Sequence, residues 1–181
     1  MALWFSGVVY AGAPGTISTP QLGAAVLVPI GVMSLIGFGS TTARARLRVP
    51  PLQALIALHA IRVLGVLFVL LYAARRLPAP FAPLAGVGDI AIGMTALPIA
   101  FWAARNAQSA RAPILVWNAL GLADLILAIG LGATSGSALM GTLPWILIPC
   151  FLVPALSVVH LIVFYRILKV TQRDTVVAAT A

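Results

Sequence analysis

Arg62, Asp89 and Asp124 each sit inside a long hydrophobic run of the chain. A charged side chain at the centre of a membrane-crossing helix costs roughly 2.5–3.5 kcal/mol on insertion scales, so such groups pair with one another or face water. One guanidinium against two carboxylates leaves one negative charge over. That suits the binding of an ion or small solute, or the relay of a proton. The same set could equally be a buried ion triad that fixes helix register and does no chemistry, since desolvation of such groups can exceed their Coulomb gain. Asn118, His59 and His160 are further polar side chains in apolar surroundings. His59 and His160 could ligate a haem between two helices, and either could instead hydrogen-bond a neighbouring helix. Beyond that option no cofactor and no metal site is expected. The single cysteine, Cys150, excludes an internal disulfide and any multi-cysteine metal site.

Spacing brings these residues together. Counted from one common side, Arg62 is about ten residues into its run, Asp124 about twelve and Asp89 about fifteen. At about 1.5 Å per residue they fall within roughly 8 Å along the bundle axis. His59, Asn118 and His160 are about five to seven residues in and form a second polar layer. His59, Arg62 and Gly65 share a helix face. Asp89 lies in a stripe with Gly86, Gly93, Ala96 and Ala100, which lets another helix approach closely. Asn118, Gly121 and Asp124 step round one side of the next run.

The runs that carry them read as an all-α transmembrane bundle. Of 181 residues, 62% are hydrophobic and 8% charged, with a mean hydropathy of +1.12. Soluble domains carry about 25% charged residues; three acids cannot supply that surface, so lipid is the expected solvent. Five spans are expected, at about 21–39, 52–74, 81–104, 112–133 and 143–165, each long enough to cross about 30 Å of hydrocarbon. Pro50-Pro51 and Pro78-Ala79-Pro80 punctuate the entries to two of them. Pro144, Pro149 and Pro154 recur through the fifth, either as plain kinks or as helix breaks lining a site. Residues 1–20 read as an N-terminal extracytoplasmic or interfacial segment, with Trp4 and Tyr10 at headgroup level and a sixth, short span as the alternative. Residues 169–181 read as a tail.

The net charge of +8 does not point to nucleic acid, because the basic residues lie between apolar runs and form no single face. Arg44, Arg46, Arg48, Arg105, Arg111, Arg166, Lys169 and Arg173 fall on one side; Arg75 and Arg76 fall on the other. The positive-inside rule makes the richer side cytoplasmic, with the C-terminus, in a cell inner membrane. The expected partners are the bilayer, a small solute, ion or proton, and a second copy or a larger membrane complex.

Gly86-Val87-Gly88-Asp89 and Pro154-Ala155-Leu156 resemble motifs of intramembrane aspartyl proteases of the presenilin type. In that family the partner aspartate precedes G-x-G-D, whereas here Asp124 follows it. The longer pattern is Arg62-Val63-Leu64-Gly65, residues 81–89, Trp117-Asn118 through Asp124-Leu125, Ile148-Pro149, Val153-Pro154 and His160. Over roughly residues 50–168 it resembles small uncharacterised multi-pass bacterial membrane proteins, a resemblance that carries no activity. The readings stand in the order of a transporter or channel, an accessory or structural subunit, and a haem protein or enzyme. No catalytic residue is assigned.

Overall fold

The computed structural model describes residues 6–10, 18–106, 109–135 and 138–179, with Thr19 and 170–179 by backbone alone. The described residues form helices and turns without a strand. Helix α1 is Thr19–Phe38 and is followed by a short helix, Thr41–Arg46. Helix α2 runs over Leu52–Ala73, α3 over Phe81–Arg105 and α4 over Arg111–Ser135. A π-helical turn, Ile148–Leu152, leads into α5, Val153–Ala179. Five segments, the last being Ile148–Lys169, are long and apolar enough to cross a membrane. Their outer faces carry Leu35, Ile36, Phe101, Leu120 and Ile126, all largely exposed. Such an apolar exterior is what lipid, rather than water, requires.

Three departures from the expected outline have local causes. The fifth span begins at Ile148 rather than Leu143, because residues 142–146 form a bend and turns, with the Ile146 N–H donating to Thr142 O. Pro154 has no N–H to give to Cys150 O and its ring crowds that carbonyl. The helix accordingly widens, and the Val153 N–H reaches Ile148 O, five residues back. Helix α5 then runs past the expected tail boundary to Ala179. At the N-terminus, residues 6–10 form a short helix whose Val8 is buried beside Ile146 and Cys150, while Tyr10 is exposed. Trp4 lies outside the described residues, and among those described no sixth helix is long enough to span.

The third departure shapes the site. The middle of α2, Leu58–Gly65, is a 3-10 helix between two α-helical segments. With three residues per turn, positions i and i+3 eclipse, so His59, Arg62 and Gly65 stand in one line, and all three are buried. The α3 backbone presses on that line. A Cβ at Gly65 would lie 2.7 Å from Gly86 O, one at Gly86 2.8 Å from Gly65 O, and one at Gly93 2.5 Å from the Val63 nitrogen. Only glycine permits this backbone-to-backbone contact.

Apolar packing closes the bundle on both sides of the polar layer. Toward one end Ile56, Ala96, Ala100, Ile114, Val163 and Ile167 pack together. Toward the other Phe68, Leu71, Phe81, Ala85 and Met140 do so. Basic residues gather at the first of these ends. There Arg166 donates to Pro50 O, Arg111 donates to Ile167 O at 3.1 Å, and Arg48 donates to the Tyr165 hydroxyl at 3.4 Å.

Candidate functional site: a buried arginine between two carboxylates

The 3-10 segment of α2 points Arg62 into the centre of the bundle, where 2% of its surface is exposed. Its Nε donates to Asp89 Oδ1 of α3 at 2.6 Å. Its Nη2 donates to Asp124 Oδ2 of α4. Nη1 donates to Gly121 O at 2.9 Å and approaches His160 Nε2 of α5 at 3.2 Å. One guanidinium thus ties four helices. Hydrogen bonds to charged groups contribute about 1.5–3 kcal/mol each, set against the larger cost of taking the three charges out of water.

The second polar layer hangs from the first. Arginine has no acceptor atom, so His160 Nε2 must present a lone pair to it. Asn118 uses its amide nitrogen to donate to His160 O at 3.0 Å. Its Oδ1 therefore accepts, from His160 Nδ1–H at 2.7 Å. The network assigns His160 as a neutral ring with its proton on Nδ1.

His59 is fully buried, and among the described residues neither ring nitrogen has a hydrogen-bond partner. Its neighbours are rings: His160 with centroids 4.0 Å apart and Trp117 edge-on at 5.4 Å. Bis-histidine ligation places the porphyrin plane between two imidazoles. Stacked rings 4.0 Å apart leave no room for it, and His160 Nε2 faces Arg62. The pair as arranged does not fit a haem. Among the described residues no group of three or more His, Cys, Asp or Glu could hold a metal ion. Nor is this an aspartyl-protease dyad, in which two carboxylates share one proton at close range; here the guanidinium lies between them.

All six residues singled out from the sequence, Arg62, Asp89, Asp124, Asn118, His59 and His160, thus meet at one place. Three further residues support the site without being among the six. Gly88 has no side chain because Asp124 Oδ1 occupies the position its Cβ would take. Gly121 supplies a carbonyl to Arg62, and its missing Cβ leaves room for the His160 ring. Trp117 donates from Nε1 to Thr95 Oγ1 at 2.9 Å, bracing α4 against α3 beside both histidines. The G-x-G-D string contained Gly88, but its use depends on a side chain from another helix.

The two carboxylates differ in their surroundings. Each gives one oxygen to Arg62, and among the described residues neither second oxygen has a hydrogen-bond partner. Asp124 rests its second oxygen on Gly88. Asp89 borders two cavities toward the end opposite the basic residues. One, of about 200 Å³, lies between α2 and α5 and is lined by Arg62, Asp89, Trp145, Leu152 and Leu156 among others. The other, of about 80 Å³, lies among α1, α4 and the π-helical turn. Pro144 borders the larger cavity and Pro149 the smaller, so the broken entry to α5 forms part of both walls.

Fold and site define a five-span helical bundle of membrane-protein character with a charged centre. Residues 19–168 match a domain of unknown function, DUF8737, and the chain belongs to that family. No curated protein and no solved structure matches it.

Proposed function

We propose that this protein is a small membrane carrier or channel that takes up a proton or small cation at the Arg62/Asp89/Asp124 centre. It would lie in the bacterial inner membrane with the basic end and the C-terminus in the cytoplasm. The observation that carries the reading is the position of Asp89 on the walls of two cavities, in a cluster with one more acid than base. A purely architectural ion pair needs neither the second acid nor access to it. The cavities lie away from the basic end, so the access is extracytoplasmic in this orientation.

Purified protein in liposomes with a pH-sensitive dye inside tests this under an imposed membrane potential. Wild type should move protons or a monovalent cation. Asp89→Asn should fold, because the amide keeps the carboxylate's shape, and should lose the flux. Wild-type flux equal to that of protein-free liposomes would reject the reading.

That outcome would favour a second reading, which has its own support in the four hydrogen bonds of Arg62. A guanidinium bonded to four groups on three other helices is a good device for fixing register. On that reading the protein is an accessory or structural subunit, and its partner is another membrane protein or a second copy.

A further inference from the structure

The larger cavity carries information about what could reach Asp89. Its wall is nearly all hydrocarbon, and among the described residues only Arg62 and Asp89 in it are ionisable. Ile61 and Leu64 belong to that wall, yet 44% and 49% of their surfaces face outward. The cavity therefore reaches the lipid-facing side of the bundle between α2 and α5. A hydrated metal ion on this path would shed its water against carbon, which is costly for any ion. A group with an apolar body meets no such barrier.

The charged end has a sign. Two carboxylates and one guanidinium sum to one negative charge, and Arg62 already engages one oxygen of each acid. The second oxygen of Asp89 is without a partner among the described residues. It can accept from a donor brought by a ligand, and a charge-assisted bond of that kind is among the stronger ones. An apolar cavity of about 150 Å³ is known to hold a benzene ring. The volume of about 200 Å³ here admits a ring with a short tether.

We infer that the cavity between α2 and α5 binds a lipophilic ammonium compound, a small aromatic or aliphatic amine that enters from the bilayer and sets its cationic nitrogen on Asp89. This rests on the proposal that the charged centre is a cation site, and it names the class of cation. The apolar body fills the space beside Leu152 and Leu156, and the ammonium donates to the second oxygen of Asp89. Arg62 stays in place and keeps the carboxylate oriented.

Binding of phenethylammonium to the full-length protein in nanodiscs tests the inference, with empty nanodiscs correcting for partition into lipid. Saturable binding is expected, weakened at least about tenfold by Asp89→Asn through loss of the charge-assisted bond. Leu152→Trp leaves the charged centre intact and fills the cavity; it should abolish binding while the protein elutes and melts as wild type does. That second variant keeps the test decisive if Asp89→Asn fails to fold. The uncharged analogue 2-phenylethanol should bind at least about tenfold more weakly, and phenylacetate should not bind. Equal binding of the alcohol would overturn the inference, because the cavity would then be an apolar void indifferent to charge. Flux or binding of protons, sodium or methylammonium without phenethylammonium binding would also overturn it, and would leave the broader cation-site reading standing. Absence of binding by any probe, together with absence of flux, would remove both.

Discussion

Arg62→Met is the most informative single perturbation, because it removes the positive charge and keeps an unbranched apolar chain in its place. Asp89 and Asp124 would remain among apolar side chains with no counter-charge, and His160 Nε2 would lose its donor. Breaking a buried ion pair by removing one partner costs about 3–5 kcal/mol. At about 1.4 kcal/mol per factor of ten, the folding equilibrium should fall by roughly two to three and a half orders of magnitude. Stabilities of about 5–15 kcal/mol are usual, so the variant should survive, marginally. Neutralising the acids in the same chain, as Arg62→Met with Asp89→Asn and Asp124→Asn, should restore most of the loss. Replacing a whole buried ion cluster is often neutral or stabilising. Equilibrium unfolding in mixed micelles, followed by tryptophan fluorescence, reads the difference well, since the Trp117 ring lies 5.9 Å from that of His160. A single variant costing less than about 1 kcal/mol would mean that the cluster is wet and exposed-like. A triple variant less stable than the single one would mean that the cost lies in lost packing and not in uncompensated charge. Either result would refute the electrostatic account.

Gly88→Ala should destabilise the protein by at least about 1–3 kcal/mol, the usual cost of overpacking, because the new methyl group takes the place of Asp124 Oδ1. Gly130→Ala on the next helix meets nothing within 4 Å and should be neutral or slightly stabilising, so equal effects of the two in the same unfolding assay would remove Gly88 from the site. Trp117→Phe keeps the edge-on ring contact with His59 and loses the bond to Thr95; a loss of about 0.5–1.5 kcal/mol is expected, and a double-mutant cycle with Thr95→Val should return a coupling of that size. For orientation, cysteines placed one at a time in a Cys150→Ser background should label from outside at Arg76 and only after permeabilisation at Arg48; the opposite pattern would invert the assignment of the basic end.

The layer of charges was legible in the sequence for a simple reason. In antiparallel spans of similar length the count from a shared end fixes depth, and helical phase then selects the inward face. Arg62, Asp89 and Asp124 satisfy both conditions, and so do His59 and Asn118; His160 is placed by depth alone. The 3-10 stretch of α2 was not legible, because nothing in Leu58–Gly65 disfavours an α-helix on its own. The contact with Gly86 and Gly93 of α3 accompanies it, and a pattern read along one segment does not show its neighbour. Gly88 was hidden in the same way, since its meaning is the location of an oxygen from α4. The fifth span starts later than hydropathy alone indicates, because hydropathy continues through residues 143–146 while the backbone there forms turns. The apolar count registers the side chains, and the turn is set by which backbone groups can donate.

The presence of two acids around one arginine separates the explanations more sharply than their depth does. A register device works best when it is neutral: one carboxylate would satisfy Arg62, leaving its remaining donors to Gly121 O and His160. The second acid adds another desolvated charge and a like-charge neighbour, both unfavourable in a low dielectric. Asp124 already has the place of a pure counter-ion, with one oxygen on Arg62 and the other packed on Gly88. Asp89 completes the same guanidinium from the opposite helix while bordering open space on two sides. Packing accounts for the first carboxylate. On the proposed reading, a ligand that brings the missing positive charge would account for the second, and the hydrocarbon walls around Asp89 would call for a ligand at home in oil.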